Sequence, residues 1–376
     1  MTGKRTAAGP VLIMAGGTGG HVFPALAVAQ ELLDAGMTVA WMGTRTGLEA
    51  SVVPKLGLQI NWVRVHGLRG KSVMRLAVAP FWLLFALLQA LLILLRVRPC
   101  VVLGMGGYLS GPGGLMAWLM RYPLLIHEQN SVAGLTNRWL SIIATCSMEA
   151  FANSLPANRH PVHTGNPVRL SIRQLPVPER RLAQRSGPIR LLVLGGSLGA
   201  QVLNETVPAA LGLLAAGQRP EVWHQTGAAT LELAQRRYRE ANVTGVITPF
   251  IEDMDTAYGW ADLVVCRAGA MTVAELAAVG VASLLVPYPH AVDDHQSGNA
   301  GFLVDAGAAL LIRQEELTPQ HLTDVLAEFG QARERLLRMA CNARRVAKPD
   351  AGRQVADLCL QFADDDTRTH PPGAPG

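Results

Sequence analysis

The 376-residue sequence predicts an α/β fold with two domains, each built on a parallel sheet. Three observations carry that prediction. One glycine-rich turn occurs twice, about 180 residues apart: Val11–Ala15 leads into Gly16-Gly-Thr-Gly-Gly-His21, and Leu191–Leu194 leads into Gly195-Gly-Ser-Leu-Gly-Ala200. Short apolar runs alternate with runs at helical spacing, as in βαβ units whose helices cover both sheet faces. The length suits two domains, and 49% hydrophobic residues are enough for two cores.

In chain order, Val11–Ala15 reads as a buried strand. Ala25, Leu26, Val28, Ala29, Leu32 and Leu33 follow at helical spacing up to Gly36. Thr38–Met42 is the next strand. Cys100–Leu103 runs into Gly104-Met-Gly-Gly-Tyr108, and Leu124–Ile126 ends in His127-Glu-Gln-Asn130. Residues 169–188, with Arg-Gln-Leu-Pro-Val-Pro-Glu-Arg-Arg at their centre, read as an exposed linker between a first domain (1–168) and a second (189–362). Strands are expected near 191–194, 221–224, 263–266 and 283–286. Residues 363–376, rich in Asp, Pro and Gly, read as a disordered tail.

Five scattered cysteines without a C-x-x-C pair argue against a disulfide framework or a zinc site and suit a reducing compartment. Only five apolar residues separate Arg5 and the glycines, so no signal peptide is expected and the location reads as cytoplasmic. The net charge of +5 is uneven. Eight basic and no acidic residues lie between Glu49 and Glu128, leaving −3 for the remainder. These arginines and lysines flank the apolar segment 77–95 instead of interleaving with aromatics, so nucleic acid is not the expected partner. Segment 77–95 has three readings: a membrane span, a buried helix, or a helix in the membrane surface with Trp82 and the leucines in the acyl boundary. In the last case Arg69, Lys71, Arg75, Arg96 and Arg98 meet anionic head groups.

Glycine turns after strands suit phosphates, because backbone N–H groups and the positive helix end point outward. A dehydrogenase is excluded: Val22 and Val202 stand where the third glycine belongs, and Gly43-Thr44 replaces the acidic ribose ligand. Asp253-Met-Asp255 and His290-Ala-Val-Asp-Asp-His295 are possible metal ligands, but acidic residues at a loop-to-helix junction also serve as caps. Thr272-Val-Ala-Glu275 reads as a capping box, and the same helix start faces the strand ends where ligands bind. His21, at the mouth of the first helix, is a possible general base or a turn residue. His127, at a strand end, is a possible base or a packed side chain.

Taken together, Gly16–Pro24, Gly104–Tyr108, His127–Asn130, Gly165-Asn-Pro-Val-Arg169, Gly195–Ser197, Arg267–Glu275 and Pro287–Gln296 resemble the MurG family of peptidoglycan glycosyltransferases, from about residue 11 to 362. The resemblance implies a GT-B fold, two Rossmann-like domains facing across a cleft. It implies inverting transfer of GlcNAc from UDP-GlcNAc to the C4 hydroxyl of MurNAc in undecaprenyl-pyrophosphoryl-MurNAc-pentapeptide (lipid I), giving lipid II. No cofactor or protein-bound metal is implied. By position, His21 matches the catalytic base, with His127 as its rival. Thr18, Gly19, Gly20, Asn130, Arg169, Ser197, Ile251, Ala270, Met271, Thr272, Val273, Ala274, Glu275 and Gln296 match substrate contacts. Gly16, Gly17, Gly106, Gly107 and Tyr108 are acceptor-side candidates. The first domain is then the acceptor- and membrane-binding one, and the second holds UDP-GlcNAc. A peripheral place on the cytoplasmic face of the inner membrane follows, with roles in cell-wall synthesis, cell shape and division and with other proteins of those processes as partners. Leu198 and Ala274 depart from the family pattern at donor contacts. A UDP-GlcNAc 2-epimerase and a non-catalytic nucleotide-sugar binding protein are the alternatives.

Overall fold

The computed structural model describes residues 9–64, 73–196 and 199–369. The chain divides into two units, residues 1–169 with 349–376, and residues 170–348. The first begins with β1 (Val11–Met14), α1 (Gly19–Asp34), β2 (Val39–Gly43), α2 (Glu49–Val52), β3 (Ile60–Trp62) and α3 (Val73–Val97). It continues with β4 (Val101–Gly104), α4 (Ser110–Leu119), β5 (Leu124–Glu128), α5 (Leu135–Leu140), β6 (Cys146–Glu149) and β7 (Val162–His163). Among the described residues these strands form one parallel sheet in the order β3-β2-β1-β4-β5-β6-β7. Val11, Ile13, Val101 and Leu103 pack on one side of it and Leu12, Met14, Val102 and Ile126 on the other, all buried. Strands covered on both faces read as unbroken apolar runs, which is why they were legible.

The strand order reverses between β1 and β4. Ligands of open parallel sheets bind outside the strand C-termini at such a point. Here the β1 end delivers Gly16–His21 and the β4 end delivers Gly104–Tyr108, with Met14 paired to Gly104.

Helix α3 connects β3 to β4, so it lies on their sheet. Ala86, Ala90 and Leu94, four residues apart, face the core, while Phe81, Leu84, Leu88, Leu92 and Leu95 are exposed. Among the described residues no helix is long and apolar enough to cross a membrane. With one face buried and the other exposed, segment 77–95 is not a fully buried helix. Arg69 and Lys71, two of the basic residues beside it, lie outside the described residues.

The second unit begins with α6 (Leu170–Arg173), α7 (Pro178–Leu182), β8 (Arg190–Leu194), α8 (Gln201–Leu213), β9 (Glu221–Gln225) and α9 (Leu231–Glu240). Next come β10 (Val246–Thr248), α10 (Met254–Trp260), β11 (Leu263–Cys266), α11 (Ala270–Val279) and β12 (Ala282–Leu285). It ends with α12 (His295–Val304), β13 (Ala309–Leu311), α13 (Pro319–Gln331) and α14 (Arg333–Val346). Its described strands form a parallel sheet in the order β10-β9-β8-β11-β12-β13, reversing between β8 and β11. The second glycine turn and Arg267–Ala270 flank that point.

Two boundary expectations need correction. Residues 169–188 are exposed over much of their length, but from Leu170 on they belong to the second unit and are tied to it, not a free linker. Ile172 is buried, the Arg181 guanidinium donates to the carbonyls of Val279 and Gly280, and Arg185 donates to those of Gly259 and Trp260 and pairs with Asp262. The arginines that made the stretch look solvated instead satisfy carbonyls at the ends of α10 and α11. The tail is also not disordered from residue 363, nor does the second unit run to 362. A last helix, α15 (Ala351–Thr369), belongs to the first unit and packs on α1, burying Val355, Ala356, Cys359 and Ala363. Its apolar stripe outweighs the polar composition that suggested disorder. Residues 370–376 lie outside the described residues.

Candidate active site

His21 stands in the first turn of α1, whose N-cap, Thr18, makes no side-chain cap bond. Its half-buried ring is held on two sides. The Nδ1 nitrogen is 3.0 Å from Oε1 of Gln129, just beyond the end of β5. Gly106 and Gly107, at φ +85° and +79°, pass close beside the ring. A Cβ on Gly106 would lie 2.9 Å from both Cε1 and Nδ1 of His21, so a side chain there must displace the ring, and the backbone conformation also favours glycine. The Ser110 hydroxyl fixes this loop by donating to the Gly106 carbonyl at 2.8 Å. Tyr108, next in the loop, is exposed.

His127, by contrast, is fully buried. Its Nε2 lies 3.0 Å from the Gly165 carbonyl and 3.2 Å from Thr164 Oγ1, and its Nδ1 lies 3.0 Å from Nε2 of Gln129. Burial pushes its pKa down to about 4, with the Gly165 hydrogen bond opposing part of that fall. Glu128, also buried, accepts from the Asn130 backbone and side chain and from Gly134 N and Asn137 Nδ2, which sets the position of Asn130.

The first glycine turn differs from the expected open phosphate cradle. The buried Glu49 carboxylate lies beneath it and accepts from Gly17 N at 3.0 Å and from Thr44 N and Oγ1 at 2.7 Å. A Cβ on Gly16 would meet Glu49 Oε1 at 2.5 Å. The Gly17 amide is thus committed inside the protein, and the helix start at Gly19 and Gly20 is what remains for an anion. Arg169 stacks its guanidinium 5.1 Å from the Phe23 ring centroid, within the first unit.

In the second unit, α11 starts at Ala270 with Gly269 as N-cap and no side-chain cap. The capping box expected at Thr272 and Glu275 does not form. The helix begins two residues before Thr272 could serve as N-cap, because Gly269 already takes the extended cap conformation. Glu275 instead lies buried one turn further in and accepts a hydrogen bond from Tyr258 at 3.1 Å. Met271, Val273 and Ala270 are buried, and Thr272 and Ala274 half-buried, on the same helix. Ile251 is buried, and its N–H donates to Gln225 Oε1 at 3.1 Å. Gln296 accepts from Tyr288 N at 2.9 Å, holding the 287–288 loop, while Arg267 ties the Val286 and Pro287 carbonyls to Gln314. Helix α8 starts without a side-chain cap just after the second turn, whose Ser197 and Leu198 lie outside the described residues. Among the described residues no three His, Cys, Asp or Glu side chains gather as a metal-ligand group; Asp253 and Asp294 are the N-caps of α10 and α12.

Sequence reading missed Glu49, Gln129 and Tyr258. Only Gln129 carried a signal, since it is two residues from His127 and shares its face at a strand end. The first unit also carries an extended apolar surface on successive packed helices. It includes Phe81, Leu84 and Leu92 of α3, Trp118 of α4, and Leu135 and Trp139 of α5, all exposed.

Two Rossmann-like parallel sheets, each with a glycine turn at its switch point, are the architecture of the GT-B glycosyltransferases. The glycosyltransferase family 28 N-terminal domain matches residues 11–148 and the C-terminal domain residues 190–355. The UDP-N-acetylglucosamine--N-acetylmuramyl-(pentapeptide) pyrophosphoryl-undecaprenol N-acetylglucosamine transferase of Nitrosococcus oceani is 55% identical over 353 residues, covering 94% of this chain and 98% of that protein. The crystal structure of Acinetobacter baumannii MurG matches with a TM-score of 0.79 at 42% identity, covering 94% of this chain and 99% of that one. The chain belongs to the MurG family. A UDP-GlcNAc 2-epimerase from Neisseria meningitidis, at TM-score 0.66 and 12% identity over 94% of this chain and 100% of that one, shares the fold alone.

Proposed function

We propose that this enzyme transfers N-acetylglucosamine from UDP-GlcNAc to the C4 hydroxyl of the muramoyl sugar of undecaprenyl-pyrophosphoryl-MurNAc-pentapeptide, with inversion, at the cytoplasmic face of the inner membrane. The observation that carries the reaction is the setting of His21: a half-buried ring at a switch point, with one nitrogen tied to Gln129 and the other left for the substrate. In this reading the His21 ring accepts the proton of the C4 hydroxyl, the oxygen attacks the anomeric carbon, and UDP departs with the bonding electrons. The burial of His127 and the bonds on both its nitrogens speak against its being the base. Donor binding falls to the second unit, where the starts of α8 and α11 suit a diphosphate and Glu275 suits ribose hydroxyls. An epimerase reading is not favoured, because the relatives named for the transferase match at far higher identity.

The apolar surface on α3, α4 and α5 supports peripheral attachment of the first unit to a membrane, where a lipid-linked acceptor resides. The test of the reaction supplies radiolabelled UDP-GlcNAc and a lipid I analogue and follows lipid-extractable label and free UDP. His21→Ala is expected to lower kcat by roughly 10²- to 10⁴-fold while UDP-GlcNAc binding holds. Absence of labelled lipid with the parent enzyme would refute the activity, and kcat within a few-fold in the variant would refute the base.

A further inference from the structure

We propose that Gln129 is a positioning residue that decides which nitrogen of His21 acts as the base, by transmitting a fixed hydrogen-bond direction from the buried His127. This rests on the reading of His21 as the base. The direction starts at Gly165. Its carbonyl can only accept, so His127 Nε2, 3.0 Å away, carries the proton. A fully buried ring with its pKa pushed down to about 4 is neutral, so His127 Nδ1 is an acceptor.

The Gln129 amide faces two groups that only accept, His127 Nδ1 at 3.0 Å and the His127 carbonyl at 3.1 Å. Both demand its NH₂, which fixes the amide orientation. Asn166 adds a further tie by donating to the Gln129 carbonyl at 2.9 Å. Oε1 of Gln129 is therefore the atom presented to His21, and an amide oxygen only accepts. His21 Nδ1, 3.0 Å away, must donate. Its Nε2 is then the unprotonated nitrogen, and the ring reaches the acceptor with its lone pair on that atom. His127, which the sequence offered as the rival base, becomes the origin of the direction.

The assignment can be read without any variant. In the full chain labelled with ¹⁵N-histidine, with His21→Ala used to identify the signals, neutral His21 should show a pyrrole-like Nδ1 and a pyridine-like Nε2. The opposite pattern would overturn the proposal. In kinetics with UDP-GlcNAc and a lipid I analogue, Gln129→Leu should lower kcat roughly 10- to 100-fold with the KM for UDP-GlcNAc within about two-fold, since only the ring's direction is lost. Gln129→Glu keeps an acceptor toward His21 but adds negative charge, so the acid limb of its kcat–pH profile should move to higher pH. A merely structural role would not move that limb. If Gln129→Leu retains kcat and the Gln129→Glu profile is unchanged, Gln129 positions nothing. If instead His21→Ala retains kcat, it is the base reading that fails, and the nitrogen spectrum still decides the direction of the chain.

Discussion

Adding one methyl group at Gly106 tests whether the ring of His21 is held by its neighbours. Gly106 and Gly107 both sit at left-handed φ, +85° and +79°, so alanine at either position costs about 1–2 kcal/mol of stability from backbone strain alone. They differ in what the new Cβ meets. At Gly106 it falls 2.9 Å from His21 Cε1 and Nδ1 and 3.2 Å from Gln129 Oε1, inside the bond that ties the ring. At Gly107 the nearest atoms are the Gly16 carbonyl at 3.3 Å and His21 Cδ2 at 3.5 Å, close to ordinary contact. Gly107→Ala therefore serves as the control for strain. Urea unfolding should place the two variants within about 1 kcal/mol of each other. Gly106→Ala must push the ring or the amide aside by several tenths of an ångström or more, and misplacement on the scale of 1 Å costs roughly 10²-fold in rate. Its kcat should fall about 10- to 100-fold below that of Gly107→Ala, with UDP-GlcNAc binding equal in both. Equal kcat in the two variants would refute the idea that this loop fixes the ring.

Two buried histidines make stability depend on pH. Burial pushes His127 down to about 4 and His224 down to about 3, both below the ordinary 6.5. The unfolded chain therefore takes up protons that the native state refuses, and stability is full above about pH 6.5 and falls as pH drops toward 4, by about 1.4 kcal/mol per pH unit for each histidine. Urea unfolding between pH 7 and 5 checks this; a flat profile there would show that the rings are accessible. On α3, Leu84→Glu with Leu92→Glu alters two side chains that are 66% and 57% exposed, so folding should change little. Sedimentation with anionic vesicles should then show at least about ten-fold weaker binding, further reduced by salt. Unchanged vesicle binding would place the membrane surface elsewhere.

The sequence alone was enough for the two α/β domains, because strands buried on both faces must be continuously apolar and glycine turns must follow them. It also placed His21 and the Gly104–Tyr108 loop at strand ends, since βαβ order puts those ends on one edge of a sheet. It was insufficient wherever a side chain's partner lies far along the chain. Nothing local distinguishes Glu49 from a surface carboxylate, yet it is buried under a turn 32 residues away. The arginines of 170–188 read as solvated until α10 and α11 supply carbonyls for them. Segment 77–95 shows a nearly unbroken apolar run, and only the sheet beneath it decides that Ala86, Ala90 and Leu94 turn inward while Leu84, Leu88 and Leu92 stay outside. By residue type and local pattern His21 and His127 were both possible bases, and only the family resemblance favoured His21. Tertiary packing separated them, because only the fold brings Gly165 and Gln129 to opposite nitrogens of one buried ring and leaves the other ring half-open at the switch point. Local pattern records which residues prefer a strand, a turn or a helix start; the direction of a hydrogen bond and the burial of a charge depend on groups that only the folded chain brings together.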